Sequence, residues 1–125
     1  MQALRHDDLA VRIEAEGVEL RTKPVGQLTV AWVRLSKGID LAPGLQGLPG
    51  DLCQCPHWGY MLKGRLRMKT AEGDQVFEAG DAFYWGPGHA PEALEDCEYV
   101  DFSPTAEFEP VLDHLTGQGR SGSKP

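Results

Sequence analysis

The chain has 125 residues, of which 41% are hydrophobic and 25% are charged, and its formal net charge is −7. This length suits one domain with a buried core, and the composition is that of a globular protein rather than a disordered or fibrous one. Neutralising nucleic-acid phosphates requires clustered Lys and Arg, so the acidic balance argues against a nucleic-acid partner. The chain starts without the apolar core of a signal peptide and has no run of about 18 apolar residues, so we predict a cytoplasmic protein with no membrane partner.

Gly and Pro interrupt the chain at short intervals, and the segments between them alternate apolar and polar residues with a period of two. Such a pattern predicts an all-β barrel or sandwich. The first predicted strand covers residues 28–36, which are rich in β-branched and aromatic side chains. Residues 37–52 hold four glycines and two prolines without a clear period, so we predict a long connection of the kind that is often functional.

A second strand is predicted over residues 58–70, where Leu and Met alternate with Lys and Arg. A tight turn at residues 72–74 follows, so residues 58–78 are predicted to form a hairpin. The remaining predicted strands are short and lie at 82–85, 93–95 and 97–103.

The C-terminal region is predicted to contain one short helix, which begins after Pro110 and ends by residue 116. Residues 118–125 are small, polar or charged, so we expect a flexible tail there. The single domain is therefore predicted to cover residues 1–117.

Cysteine and histidine residues form the most informative pattern of the sequence. Cys53, Cys55 and His57 occupy alternate positions before the second predicted strand, and His89 follows a Gly-Pro-Gly turn 32 residues later. Thiolates and imidazoles are the ligands that soft or borderline metal ions prefer. Three cysteines are an odd count that does not fit a disulfide framework, and Cys97 is expected to be a buried, inert thiol.

The stretches HWGYMLKGRLRM and VFEAGDAFYWGPGHAPE resemble the paired signature of the cupin superfamily, and the resemblance covers about residues 50–103. In cupins the first signature runs His-x-His, three or four residues, Glu, six residues, Gly. Gly64 matches the final glycine, which places His57 at the usual Glu position. The usual histidines would then fall at Asp51 and Cys53.

The second cupin signature runs Gly, five residues, Pro-x-Gly, two residues, His. Gly80 and Gly88 match it, Gly86 replaces the proline, and Pro91 stands at the histidine position, two residues after His89. The resemblance implies a small cupin-type β-barrel or jelly roll. The family's standard three-His, one-Glu iron or manganese site cannot be assembled from these positions.

The soft ligands of this chain predict a different site. On an extended strand Cys53, Cys55 and His57 would share a face, but their span of about 13 Å, at roughly 3.3 Å per residue, is too long for one ion. A bend is required, and Pro56 can supply it. With His89 carried across the barrel mouth, a Cys2His2 tetrahedron becomes possible; it suits zinc best, and iron, nickel or copper remain compatible with it.

Other interpretations of these residues stay open. The Cys-x-Cys pair could be two small buried residues, a redox pair or a strained disulfide. His57 could be a hydrogen-bonded core histidine, and His89 could cap a turn. Four soft ligands occur together in the two signature regions, and this coincidence favours the metal site.

Tyr84, Trp85 and Glu92 are the candidate residues for binding a small molecule beside the metal. Trp58 and Tyr60 have the opposite strand parity and are expected to face away from the cavity. We predict a zinc-binding cupin that binds a small molecule or uses the metal structurally. The alternative is a metal-dependent enzyme of the hydrolase, lyase or isomerase type, for which no catalytic residue is assigned.

Assembly is predicted from the resemblance. Cupins commonly pair through sheet edges, and the apolar strand at residues 28–33 together with the N-terminal segment could supply such an edge. We therefore expect a homodimer.

Overall fold

The computed structural model describes residues 1–117, and the predicted tail at 118–125 lies outside the described residues. The described part forms nine strands, three short 3-10 helices and one α-helix. The strands are β1 (Ala10–Ala15), β2 (Val18–Val25), β3 (Leu28–Leu35), β4 (His57–Lys63), β5 (Arg65–Thr70), β6 (Gly73–Glu78), β7 (Ala82–Trp85), β8 (His89–Ala93) and β9 (Cys97–Pro104); the helix is α1 (Thr105–Thr116).

Two antiparallel sheets make up the fold. The larger sheet has six strands in the order β1-β2-β3-β9-β4-β7, and the smaller has three in the order β6-β5-β8. Hydrogen bonds join the strands into two separate ladders in the part of the chain that the structure describes, so the architecture is an open jelly roll. The predicted all-β cupin-type fold with a short C-terminal helix is confirmed.

The core lies between the inward faces of the two sheets. Leu35 of β3, Met61 of β4 and Leu66 of β5 are almost completely buried there. Cys97 is buried as predicted, and burial together with the nearby negative charges of Asp96 and Glu95 raises the pKa of its thiol to about 11. The thiol is therefore protonated and inert at neutral pH.

Helix α1 closes one end of the jelly roll. Its buried side chains, Phe108, Val111 and Leu112, lie on one face because they are three and four residues apart. Arg12 of β1 donates hydrogen bonds of 3.1 Å to both carboxylate oxygens of Glu109, which fixes the helix to the first strand. No helix in residues 1–117 has the length and apolar character needed to cross a membrane.

The structure corrects the predicted start of this helix. It begins at Thr105, not after Pro110, and Pro110 lies inside it. A proline at this point removes one intrahelical hydrogen bond. Burial of Phe108, which precedes the proline, requires the earlier start and outweighs that loss.

The strand predictions were incomplete near the N-terminus and displaced near residue 93. Residues 10–25 form β1 and β2, where no strand was predicted, and β2 pairs with β3 along its whole length. Because β9 pairs with the other side of β3, residues 28–33 lie inside the sheet and cannot supply a free edge. The last short strand covers His89–Ala93 rather than residues 93–95.

Gly64 divides the predicted strand 58–70 into two strands that belong to different sheets. β4 lies in the six-stranded sheet and β5 in the three-stranded one, so the hairpin is β5–β6 rather than 58–78. Gly64 has φ +81°, and a Cβ atom there would collide with the carbonyl oxygen of Asp96. The chain can pass from one sheet to the other only because this position has no side chain.

We expect Gly64→Ala to destabilise the fold more than Gly80→Ala. Gly80 also has a positive φ, of +97°, but a Cβ there has open space. The control should therefore lose only the backbone term of about 1–2 kcal/mol. Gly64→Ala should lose a further 1–3 kcal/mol or so from steric overlap. Urea denaturation measures both, and equal losses would contradict the assigned role of Gly64.

Candidate metal centre

Three of the four predicted ligands meet in one buried cluster. The Sγ of Cys53 and ring nitrogens of His57 and His89 all lie within 4.8 Å of one another, and the three residues are buried. Cys53 Sγ is 3.6 Å from Nε2 of His57. Tetrahedral zinc with bonds of about 2.0–2.3 Å requires ligand atoms roughly 3.3–3.8 Å apart, so this donor set needs only small side-chain movements to enclose an ion.

Backbone hydrogen bonds hold the cluster together across the fold. The N–H of Cys53 donates to the carbonyl oxygen of His89 at 2.9 Å, and the N–H of His89 donates back at 3.1 Å. A third bond, of 2.7 Å, runs from the N–H of Gly88 to the carbonyl oxygen of Cys53. His57 is the first residue of β4 and His89 the first of β8, so His89 lies at a strand end and not within the turn.

Cys55 lies outside this cluster. Residues 54–56 have no regular strand conformation, so the even spacing from Cys53 does not place the two thiols on one face. The Sγ of Cys55 instead lies 3.3 Å from the carbonyl oxygen of Pro56. Burial raises the pKa of Cys55 to about 12, with the nearby charges of Cys53 and Asp101 acting in the same direction, so this thiol stays protonated.

In each histidine, the hydrogen bond that Nδ1 makes directs Nε2 of the same ring towards the cluster. Nδ1 of His89 lies 2.6 Å from the carbonyl oxygen of Gly86, which can only accept, so Nδ1 carries the proton. Nδ1 of His57 lies 2.6 Å from Oγ of Ser103, whose hydroxyl donates to Asp101 at 3.0 Å. Nε2 of both rings is thereby left to bind a metal, in the way that outer hydrogen bonds orient histidine ligands.

Sequence reasoning missed Ser103 and Asp101. Both lie on β9 at positions that point inward, and both are buried. The sequence did contain one indication: Asp101 and Ser103 have the same strand parity as Tyr99, so they occupy inward positions that should be apolar. Two polar residues on that face indicate a buried hydrogen-bond network, but they do not reveal its partner on another strand.

The charges of the cluster favour a thiolate. Burial opposes ionisation of Cys53, but the hydrogen bond with Nε2 of His57 and the two adjacent imidazole rings lower its pKa to about 6. Burial likewise opposes protonation of His57, yet the negative charge of Asp101, 3.7 Å from Nδ1, and the hydrogen bond to Cys53 raise its pKa to about 10. Both shifts favour a thiolate–imidazolium pair, and the thiolate is the form of Cys53 that binds metal.

A cavity of about 50 Å³ adjoins the cluster and is bordered by α1. Trp85 borders it with its Nε1 buried and without a hydrogen-bond partner among residues 1–117. Tyr84 projects from the outer face of the sheet, where its ring lies 5.1 Å from that of Trp58. Glu92 also lies off the cavity, paired with Arg67 at 3.4 Å. Of the three predicted small-molecule contacts, only Trp85 borders this cavity.

The donor set fits a soft or borderline divalent ion. One thiolate sulfur and two imidazole nitrogens match the ligands of zinc, whereas iron or manganese sites of the cupin type need carboxylate and histidine. Three protein ligands leave one tetrahedral position for a water molecule or another ligand.

Comparison with known proteins finds similarity in structure but not in sequence. No protein-family model matches the chain, and no curated protein matches it. An RmlC-like cupin from Shewanella frigidimarina has a TM-score of 0.60 at 15% identity, over 85% of this chain and 93% of that one. KdgF from Halomonas sp. has a TM-score of 0.60 at 21% identity, over 83% and 94% of the two chains.

A third similar structure is a sugar phosphate isomerase of the cupin superfamily from Silicibacter pomeroyi. Its TM-score is 0.59 at 16% identity, and the match covers 82% of this chain and 75% of that one. At these identities the likeness concerns the fold. The fold of this chain is that of the cupin superfamily, as its two glycine signatures predict.

Proposed function

We propose that the protein binds one zinc ion through Cys53, His57 and His89. The observation that supports this most directly is the convergence of three buried donor atoms whose Nδ1 partners leave both Nε2 atoms available. The thiolate favours zinc over the iron or manganese of carboxylate-containing sites. Iron, nickel and copper are also compatible with one sulfur and two nitrogens, and metal analysis distinguishes them.

The zinc ion serves mainly to bind a small ligand or to hold the end of the jelly roll together. A cavity of about 50 Å³ holds a few water molecules, and it is much smaller than the roughly 300–1,000 Å³ of ordinary small-molecule sites. Only a ligand of a few heavy atoms fits beside the ion while α1 is in place. The unpaired N–H of Trp85 is a suitable donor to an oxygen atom of such a ligand.

A metal-dependent enzyme is the second candidate. The open fourth position is the arrangement found in catalytic zinc sites, where the ion activates water or polarises a carbonyl group. Hydrolase, lyase or isomerase chemistry is compatible with it, and one structurally similar protein is named a sugar phosphate isomerase. The small volume of the cavity favours the binding function over this alternative.

We also propose that the protein is cytoplasmic and forms a homodimer. Cys53, Cys55 and Cys97 are all free thiols, which suits a reducing compartment. Within that compartment we expect neither nucleic acid nor membrane as a partner.

Protein purified without chelator is expected to carry close to one zinc per chain. Cys53→Ser and His89→Ala should each remove a ligand and lose the metal. Cys55→Ser is the matched control, because this buried thiol lies two residues away but outside the cluster. Elemental analysis and a competition titration measure content and affinity.

The outcomes separate the alternatives. Retention of stoichiometric metal by both Cys53→Ser and His89→Ala would contradict the site. Loss of metal in Cys55→Ser as well would indicate the four-ligand Cys2His2 site that the sequence predicts.

Zinc affinity is expected to fall as the pH is lowered. Between pH 6 and 10 zinc must displace the proton of His57, whose pKa is raised to about 10, while Cys53, with a pKa lowered to about 6, is already ionised. One displaced proton weakens binding about tenfold per unit of falling pH, and below pH 6 protonation of Cys53 makes the slope steeper. Competition titrations across this range measure the slope, and an affinity independent of pH contradicts the assignment.

Ser103→Ala is expected to lower zinc affinity by about 10–100-fold, because the Nδ1 partner that orients His57 is lost. Thr29→Val is the control: Thr29 lies opposite Ser103 on β3, is equally buried, and bonds to Thr105 instead of His57. The control should leave zinc affinity within about twofold of wild type. An unchanged affinity in Ser103→Ala would show that Ser103 does not position the ligand.

A further inference from the structure

The outer surface of the six-stranded sheet carries a contiguous aromatic face, defined here by Trp58, Tyr60, Tyr84 and Phe102. Each of these side chains is between 43% and 55% exposed. Trp58 is paired across the sheet with Phe102 on β9 and with Tyr84 on β7, and its ring lies 5.1 Å from that of Tyr84. The four aromatic residues therefore form one surface across three neighbouring strands.

The aromatic face contains no charge at its centre. Tyr60 is paired with Val100 on one side and Ala82 on the other, so the second row of the face is also uncharged. Charged side chains begin at its rim, where Arg34 and Glu98 form an ion pair of 3.0 Å. An apolar centre with a charged rim of both signs is the usual anatomy of a protein–protein interface.

The outer face of the smaller sheet is different. Its strand β5 presents Arg67 and Lys69, which are paired with Glu92 and Asp40 on the neighbouring segments. That surface is an ordinary solvated face, and it shows that exposed aromatic side chains are confined to the larger sheet.

Among residues 1–117, the segments that pack on the outside of the larger sheet cover a part next to the aromatic face. In the N-terminal segment, Leu9 is buried and His6 packs edge-on against Trp32 of β3, with ring centroids 5.6 Å apart. Helix α1 lies at the end of the jelly roll, against the cavity.

The size of the aromatic face fits a dimer. An aromatic side chain buries about 150–250 Å² when fully covered, so four that are about half exposed present on the order of 400 Å². The flanking Leu28 and Leu62, both exposed, extend this area. Doubled across a two-fold axis, the face supplies about 1,000 Å² of apolar area, close to the 1,200–2,000 Å² or so that stable interfaces bury in total.

We propose that the aromatic face is the two-fold interface of a homodimer, in which the six-stranded sheets of two copies pack face to face. Sheets of the same twist stack well at about 10 Å, and the two-fold axis brings each aromatic centre against its own copy. The ion pair of Arg34 and Glu98 is neutral overall, so this part of the rim adds no repulsion between two chains that each carry −7. This assignment rests on the proposed homodimer and is independent of the metal centre.

The test is the mass of the full chain in solution, measured by light scattering and sedimentation over about a hundredfold range of protein concentration. Wild type should have twice the 13.7 kDa mass of one chain. Trp58→Glu and Tyr84→Glu should each place an unpaired charge in the interface and weaken dimerisation by at least about a hundredfold. Val76→Glu is the control, because Val76 is 43% exposed but lies on β6 in the other sheet.

Tyr84→Ser serves as a milder variant, and circular dichroism of every variant checks that the fold is retained. A wild-type protein that stays monomeric overturns both the homodimer and the assigned face. A dimer that persists in all three interface variants overturns the face alone. A Val76→Glu protein that dissociates as readily as Trp58→Glu overturns it too, since the interface would then not be confined to the larger sheet.

Discussion

The site depends on the short backbone bridge between Cys53 and His89. These two residues exchange hydrogen bonds of 2.9 and 3.1 Å between the loop that precedes β4 and the start of β8. The bridge links the segment before β4, a strand of the larger sheet, to β8 of the smaller sheet, and it brings a thiol and an imidazole to one place. His57 then completes the cluster from the first position of β4. Without the bridge, the three soft ligands would lie on separate segments.

A buried polar network supports this cluster inside an apolar core. Asp101 accepts a hydrogen bond from Ser103, which in turn faces Nδ1 of His57, and all three side chains are buried. Burying a carboxylate is costly unless a positive charge and hydrogen bonds compensate, and removal of one partner from such a pair costs about 3–5 kcal/mol. The imidazolium of His57 supplies that compensation in the absence of metal. A bound zinc ion would supply the positive charge instead, so the same network would suit both states.

Much of the fold and part of the site could be predicted from the sequence. Period-two segments and the glycines of the two signatures predicted the all-β cupin-type fold, and parity predicted the outward direction of Trp58 and Tyr60. The role of Gly64 in dividing one strand into two could not be predicted, because it follows from a close approach to Asp96, 32 residues away in the sequence. Cys55 was predicted to lie beside Cys53 because a regular strand was assumed, but residues 54–56 do not form one. Contacts between distant strands carry no local signal, which is also why the hydrogen-bond partners of His57 were missed.

The central claim is that one sulfur and two nitrogen atoms of this chain bind a zinc ion. X-ray absorption at the zinc edge of the purified, full-length protein tests it most directly, because the spectrum counts sulfur and lighter ligands separately. The account predicts one sulfur at about 2.3 Å, two imidazole nitrogens at about 2.0–2.1 Å and one further light atom. Two sulfur ligands, or a shell of oxygen and nitrogen atoms alone, would contradict it.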